Sequence, residues 1–541
     1  MISTIANLPG TVAELQNIII EREQQYQTQI KILEEKIRFL QDKIFGRKSE
    51  KLSVAKGDKY CQLALFNEAE AIVEQAAASQ EQQAEGKTDT GTDTDTISVP
   101  AHTRQKPGRK PLPDHLPRVE VIHDLSEEEK LCGCGCQMSK IGEEVSEKLD
   151  IIPAKIQVIR HIRFKYACKN CEGVESGESA VKVAPTPPQL IPKSMATEGL
   201  VAYIIVSKFA DALPFYRQEG IFERIGVEIP RSTMANWAMQ AADACEPILS
   251  LMHQELLSGP VINMDETPVQ VLGEEGRLNT TKSYMWAFRG GGLDEPVLIF
   301  QYDPTRSGRV PKDYLQGYSG YIQTDGYKGY DDLGKQPGII HLGCWSHARR
   351  MFVDVLDALP AQDRKKKAGN ATNTALGYIG TLYAIEAKAR EGKLTIEEIY
   401  QLRQKKSKPI LEQFKAWLTQ LYPQTPPKGL LGKAIEYCLN QWDKLERYII
   451  DGRLKIDNNL IENAIRPFVL GRKNWLFSGN PRGAKASAAL YSLIETAKAN
   501  GLEPYHYLRF LFEKLPLAKT QDDYKALLPQ HLNREQLKNL W

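Results

Sequence analysis

The chain has 541 residues, 42% hydrophobic and 26% charged, with a net charge of +2. That length exceeds what one hydrophobic core fills, so several domains are expected, and the composition is that of an ordinary globular protein rather than a disordered one. The near-neutral balance excludes a polyanion partner recognised by overall charge, leaving local patches to carry any such contact. No apolar run nears the roughly 20 residues that span a bilayer, and the N-terminus lacks the basic and apolar regions of a signal peptide, which points to the cytoplasm.

Residues 1–50 are dominated by one amphipathic stretch. Ile19, Tyr26, Ile30, Leu33, Ile37, Leu40 and Ile44 follow steps of three and four, broken once by Glu23. That is a heptad seam, read as a coiled coil that brings two or more copies together. The competing reading is one helix packed on its own protein. From 51 to 105 the composition turns to Ala, Gln, Glu, Thr and Asp, ending in TDTGTDTDT. Such a segment cannot bury a core and is expected to be a disordered linker. A basic arm follows, Arg104-Gln-Lys-Pro-Gly-Arg-Lys-Pro, of a kind that can lie in a DNA minor groove.

Five of the nine cysteines fall between Cys132 and Cys171. In a reducing compartment this clustering reads as metal binding rather than disulfides. Cys168 and Cys171 have CxxC spacing, whereas the first knuckle is CxCxC, so Cys132 pairs with either Cys134, the preferred ligand, or Cys136. With strand-like runs at 151–152 and 156–166 between the knuckles, residues 106–190 are expected to hold a zinc-ribbon-like domain with a structural Zn2+. His161, Arg163 and Lys165 alternate along the second run and face either phosphate or solvent.

Residues 191–258 read as helical. A helix over 210–224, the turn Gly226-Val-Glu-Ile-Pro230 and a second helix capped by Ser232 or Thr233 form a helix-turn-helix-like pattern, with Trp237 assigned to the core. From Val261 the pattern changes to strands: 261–272, 283–290, 296–304, a run ending at Asp325, and a fifth before the helix that carries His347, Arg349 and Arg350. These give a mixed-sheet α/β domain over 259–485, interrupted by a charged helical insertion at about 358–455. Residues 486–541 are expected to form C-terminal helices.

The insertion is followed by DNNLIENAIRPFVLGRKNWLFSGNPRGAK, residues 457–485. It carries Glu462 on a helix, then Arg466, Arg472, Lys473, Arg482 and Lys485 with no intervening acid, and Trp475 and Phe477 between the charges. A carboxylate beside such cations suits a metal next to phosphate, and interleaved rings can stack on bases. Two acids delivered by strands, Asp265 and Asp325, with Glu462 from a later helix, are what two-metal phosphoryl chemistry requires, provided the first and fourth strands are neighbours. Glu266 is expected on the opposite face from Asp265, Asp457 to diverge from Glu462 around a shared helix, and Asp303 to serve a turn.

MDETPVQVL, QTDGYKGY, CWSHARRMF and DNNLIENAIRPFVLGRKNWLF closely resemble the blocks of the insertion-sequence sixty-six family of DDE transposases. The similarity extends to IFGRKSEKL, the cysteine block, LPFYRQEGIFERIG and GLEPYHYL, nearly the whole chain. The resemblance implies an RNase H-like core in which Asp265, Asp325 and Glu462 hold two Mg2+ or Mn2+ ions. It implies cleavage of terminal inverted repeats, joining of the freed 3′-hydroxyl to target DNA, and small accessory proteins of the element. Lys473 and Arg472 are the favoured phosphate contacts; His347, Arg350, Arg466 and Arg482 are further DNA-binding candidates, with Arg466 one helical turn from Glu462 and able to pair with it. Two other classes share these modules: a non-catalytic DNA-binding regulator or end-binding subunit, and an RNase H-like nuclease that cuts without joining.

Overall fold

The computed structural model describes residues 12–45, 156–167, 181–359, 371–533, 535 and 537. The polar linker, the basic arm, all five clustered cysteines and Arg364–Lys367 lie outside these residues. Two compact units are present, 85–186 and the remainder.

Helix α1 (Val12–Phe45) spans the heptad stretch. Its seam residues Ile19, Tyr26, Ile30, Leu33, Ile37 and Leu40 are 49–61% exposed, while Ile32, Glu35, Lys36 and Phe39 on another face are half-buried. The seam face is thus open in the single chain, and the half-buried face is the one packed on the protein itself.

In the unit 85–186, β1 (Lys165–Ala167) pairs antiparallel with β2 (Val181–Val183). The predicted strand over 156–166 is largely absent: among the described residues only 165–167 are strand, with the Phe164 carbonyl accepting from the Ala184 N–H at 3.4 Å beside them. Arg163 ties the two segments instead, donating from Nη1 to the Ala184 carbonyl at 3.0 Å and to Thr186 Oγ1 at 2.7 Å.

Four helices follow in the larger unit: α2 (Glu198–Phe209), α3 (Phe215–Arg224), α4 (Arg231–Ala244) and α5 (Glu246–Ser258). The expected helix over 210–224 starts later, because Pro214 at its N-cap lacks the N–H that a longer helix would need. Gly226, at φ 81°, makes the turn between α3 and α4. Neither Ser232 nor Thr233 caps α4. Pro230 occupies the N-cap, and Glu219 accepts from the Arg231 N–H at 3.0 Å. Trp237 is buried, as expected.

The sheet comprises β3 (Val261–Val271), β4 (Lys282–Gly291), β5 (Pro296–Asp303), then, after the short α6 (Arg309–Tyr314), β6 (Gly320–Gln323) and β7 (Ile339–Leu342). The order is β5-β4-β3-β6-β7. The three long strands run antiparallel, and β3, β6 and β7 run parallel, so the first and fourth strands are neighbours. Helix α7 (Trp345–Asp357) leaves β7. It leads to the insertion of α8 (Ala371–Glu391), α9 (Ile396–Leu402), α10 (Lys408–Leu421), α11 (Leu430–Asn440) and α12 (Trp442–Glu446). The insertion shares a second core with β7 and α7, around Trp345, Phe414 and Trp442. Arg403 is a buried hub of the insertion: it forks onto Glu386 and donates to the carbonyls of Tyr448, Asp451 and Leu454.

The chain returns through α13 (Asn459–Trp475), β8 (Phe477–Ser478), α14 (Pro481–Ala499), α15 (Pro504–Lys514) and α16 (Gln521–Lys525). The basic stretch after Glu462 is mostly helix, since α13 runs to Trp475 and α14 begins at Pro481 and carries Arg482 and Lys485. Buried residues of α14, α15, the helices before the sheet and the sheet itself form one continuous core. No helix among the described residues is long and apolar enough to cross a membrane.

Helix α14 also closes the sheet's edge. Ser492, Thr496 and Asn500, four residues apart, lie along one helical stripe. Ser492 Oγ accepts from Phe300 N at 2.8 Å; Thr496 Oγ1 accepts from Leu298 N and donates to Leu298 O, each at 2.9 Å; Asn500 Nδ2 donates to Pro296 O at 2.8 Å. Four helical residues advance about 6 Å and two strand residues about 6.6 Å, so the registers nearly match. The hydroxyls and amide thereby take the place of another strand on β5.

Candidate active site

The site begins where β6 stops. On one edge β3 pairs with β4 over 263–270, but on the other it pairs with β6 only at 261–263 and with β8 at 270–271. Among the described residues no strand covers 264–269 on that side, and α13 fills the notch. Asp265 therefore lies mid-strand, not at a strand end. Asp325 sits two residues past β6, and Glu462 in the first turn of α13.

Buried amides hold these elements in register. Asn263 Nδ2 donates to Gln323 Oε1 at 3.1 Å and to Asn458 Oδ1 at 2.9 Å; Asn458 Nδ2 donates to the Met264 carbonyl at 2.9 Å. Gln323 Nε2 reaches the carbonyls of Gly343 at 3.2 Å and Lys455 at 2.9 Å. Asn263 and Gln323 each precede a site acid by two residues. That N-x-D and Q-x-D pattern, a polar amide within an apolar strand, is the signal that could have revealed them.

The acids share one electrostatic environment. Asp265 is held well above the usual carboxylate range by burial first, then by the charges of Glu266, Asp325 and Glu462. Glu462 is 2% exposed and pushed up to about 7 by burial, with Asp457 and Asp325 raising it further and Arg350 and Arg466 opposing them. Asp325 Oδ1 is fixed by the Tyr327 N–H at 2.9 Å. The Glu462 Oε2 atom is buried without a hydrogen-bond partner. Buried carboxylates that raise one another's pKa and leave an acceptor unsatisfied suit a hard divalent cation, which would reverse the repulsion.

Glu462 Oε1 faces two further donors. His347 Nδ1 lies 3.5 Å away and Cys344 Sγ 3.9 Å. Among the described residues, these three side chains form the group whose ligand atoms all lie within 4.8 Å of one another; Asp265 and Asp325 act on Glu462 at longer range. Burial holds His347 below the usual imidazole range, with Asp325 raising and Arg350 lowering it. Cys344, absent from the sequence candidates, also accepts from the Asn458 N–H at 3.2 Å.

The remaining candidates divide. Glu266 is bound by Arg306, at 2.6 Å from Nε, and by Tyr330. Asp303 caps its own turn, accepting from Thr305 N at 2.7 Å. Asp457 precedes α13 rather than sharing it, so the expected divergence around a helix does not apply, and its charge raises Glu462. Arg472 donates from Nη1 to Thr267 Oγ1 at 2.9 Å and to the Pro268 carbonyl, stapling α13 to β3. Arg482 pairs with Asp243 of α4 at 2.7 Å. Lys473 is exposed. Trp475 packs on Phe468, whereas Phe477 and Leu476 are exposed, the latter at φ 67°.

Fold and site together define a mixed-sheet protein with a helical N-terminal region that gathers carboxylates from separated elements beside a sheet notch. A family model described as Transposase IS66 family matches residues 193–486. Others match 129–172, a zinc-finger binding domain of transposase IS66, 32–121, Transposase C of IS166 homeodomain, and 492–530, the IS66 C-terminal element. The chain belongs to the IS66 transposase family. It is similar to two uncharacterized proteins of Sinorhizobium fredii. y4jD is 33% identical over 79% of this chain and 82% of its own length; y4qI is 34% identical over 78% of each.

Proposed function

We propose that the chain is a DDE transposase that cleaves the terminal inverted repeats of its element and joins the freed 3′-hydroxyl to target DNA. The observation that carries this reading is the placement of Asp265, Asp325 and Glu462 around one notch, from two parallel neighbouring strands and a helix arriving after the insertion. The strand order, antiparallel in one half and parallel in the other, supports an RNase H-like core. The three acids would hold Mg2+ or Mn2+, which supplies, when bound, Lewis-acid stabilisation of charge at phosphorus and of the attacking oxygen.

The chain's own residues orient that chemistry. Asn263, Gln323 and Asn458 fix the spacing of the acid-bearing elements, and Arg350 and Arg466 favour the ionised form of Glu462. His347, Arg350, Arg466 and Lys473 on α7 and α13 and Arg482 on α14 would meet DNA phosphates, whereas Arg472 serves β3 first. Residues 129–172 would hold a structural Zn2+ through Cys132, Cys134 or Cys136, Cys168 and Cys171, and with α3 and α4 would recognise the repeats. The exposed seam of α1 would pair with a second copy, so that both ends are cut in one complex.

The test incubates the full chain with labelled repeat ends, plasmid and Mg2+. Joined products are expected, and Glu462→Gln is expected to bind ends without cutting them. Cutting without joining would identify a nuclease, and normal cleavage by the variant would remove Glu462 from the site.

A further inference from the structure

We propose that Cys344, His347 and Glu462 form a second, softer metal site that binds one zinc-class ion and, in doing so, withdraws Glu462 from its partnership with Asp265 and Asp325. The regulatory half of this proposal rests on the cleavage function above; the binding site itself does not.

The geometry comes first. Cys344 closes the loop after β7, and His347 stands one turn into α7, so this C-x-x-H pair opens the helix and points at the first turn of α13. Glu462 Oε1 lies 3.5 Å from His347 Nδ1 and 3.9 Å from Cys344 Sγ. Zinc bonds of about 2.0–2.3 Å in a tetrahedron place ligand atoms about 3.5 Å apart. The donors are thus already near the required spacing, and small rotamer shifts close the remainder.

The second observation is unmet bonding capacity. Glu462 is 2% exposed with its Oε2 unpartnered, and His347 Nδ1 is buried with no hydrogen-bond partner. The chemistry of the donors selects the ion. Sulfur and imidazole suit Zn2+, Co2+ or Cd2+ and are poor ligands for Mg2+, which prefers oxygen. The Cys344 proton passes to solvent when the thiolate coordinates, and three protein ligands leave a fourth position open. Asp325 and Asp457 face Glu462 as anions and Arg350 and Arg466 as cations, so neither charge sign dominates its surroundings. Because one Glu462 carboxylate would serve both sites, occupancy of the soft site competes with the hard one.

The test titrates the full chain with Co2+ and compares it with Cys344→Ser and His347→Ala. The wild-type chain is expected to bind one more equivalent than Cys344→Ser and to show extra thiolate-to-cobalt absorption, over the background of the other cysteines, which cancels in the difference. His347→Ala, at a partly exposed position, is expected to weaken that equivalent at least tenfold. Micromolar Zn2+ should inhibit Mg2+-dependent cleavage by the wild-type chain and inhibit Cys344→Ser at least tenfold less. Identical Co2+ stoichiometry and spectra in wild type and in both folded variants would overturn the site. If the Co2+ difference is present while no cleavage occurs in Mg2+, the site stands and the transposase reading falls.

Discussion

Asn458 and Asn263 are 195 positions apart and share a buried amide hydrogen bond of 2.9 Å. Asn458 also donates to the Met264 carbonyl, the residue before Asp265, and sits at the N-cap of the helix that presents Glu462. One side chain thus sets the distance between two of the three acids. Asn458→Ala leaves Asn263 one partner short and the Met264 carbonyl unsatisfied. That is expected to cost about 1–3 kcal/mol in urea unfolding. Because the register of α13 is lost with it, cleavage should fall more than the stability change explains, while end binding persists. Wild-type cleavage rates in a folded Asn458→Ala chain would refute the positioning role.

Glu462 has a stability signature separable from activity. Its folded pKa of about 7 lies above an unfolded value of about 4.3, so the native state holds more protons between these values and stability falls as pH rises through that window. The loss is on the order of 3 kcal/mol by about pH 8. Asp265, raised by the same surroundings, acts in the same direction. With no divalent salt, Glu462→Gln should therefore be more stable than wild type near pH 8 and lose that advantage near pH 5, while being inactive. Thermal unfolding of both proteins across this range decides it; parallel curves would mean that Glu462 ionises normally.

Neighbouring Arg472 and Lys473 should behave differently despite equal charge. Arg472 is tied to Thr267 and the Pro268 carbonyl, so Arg472→Ala is expected to reduce stability by about 1–3 kcal/mol as two β3 acceptors lose their donor. Exposed Lys473 is the phosphate candidate, and Lys473→Ala should lower the slope of log affinity against log salt by about 1, a change Arg472→Ala should not give. The reverse pattern would exchange the two roles.

The sequence was informative where periodicity or spacing is local. The helix over the α1 heptads, the strand succession, the turn acid Asp303 and the core Trp237 all rest on neighbours within a few residues. What stayed hidden joins distant segments. Nothing near Arg472 says that it closes a notch in β3, and nothing near Cys344 says that Glu462 will face it. Asp457 misled because its helix starts two residues later, at Asn459. The strand expected at 156–166 failed for the opposite reason: an alternating pattern lasts as a strand only where a partner pairs with it.

The seam of α1 predicts self-association. Ile30, Leu33 and Ile37 are 49–57% exposed in one chain, whereas Ile32 and Phe39 on the other face are half-buried. Leu33→Glu with Ile37→Glu should convert a dimer or larger assembly into a monomer by light scattering, since charges at seam positions remove the apolar contact and repel across it. Helical content should stay close to wild type. An unchanged mass would place any association elsewhere.

The final expectation concerns the edge of β5. Thr496 bonds both backbone groups of Leu298, so Thr496→Val keeps the shape of the side chain but leaves a buried N–H and a buried carbonyl without their partner. A loss of about 1–3 kcal/mol is expected, more than a surface substitution gives, because these groups have no access to water. Ser492→Ala removes only the acceptor for Phe300 N and should cost less. The two sites lie on adjacent turns of α14, so the double variant need not be additive. Denaturant midpoints of the three proteins test the order. Hydrogen exchange at Leu298 and Phe300 tests the cause, with faster exchange at Leu298 in Thr496→Val and at Phe300 in Ser492→Ala. If neither amide exchanges faster, the hydroxyls are not what closes this edge.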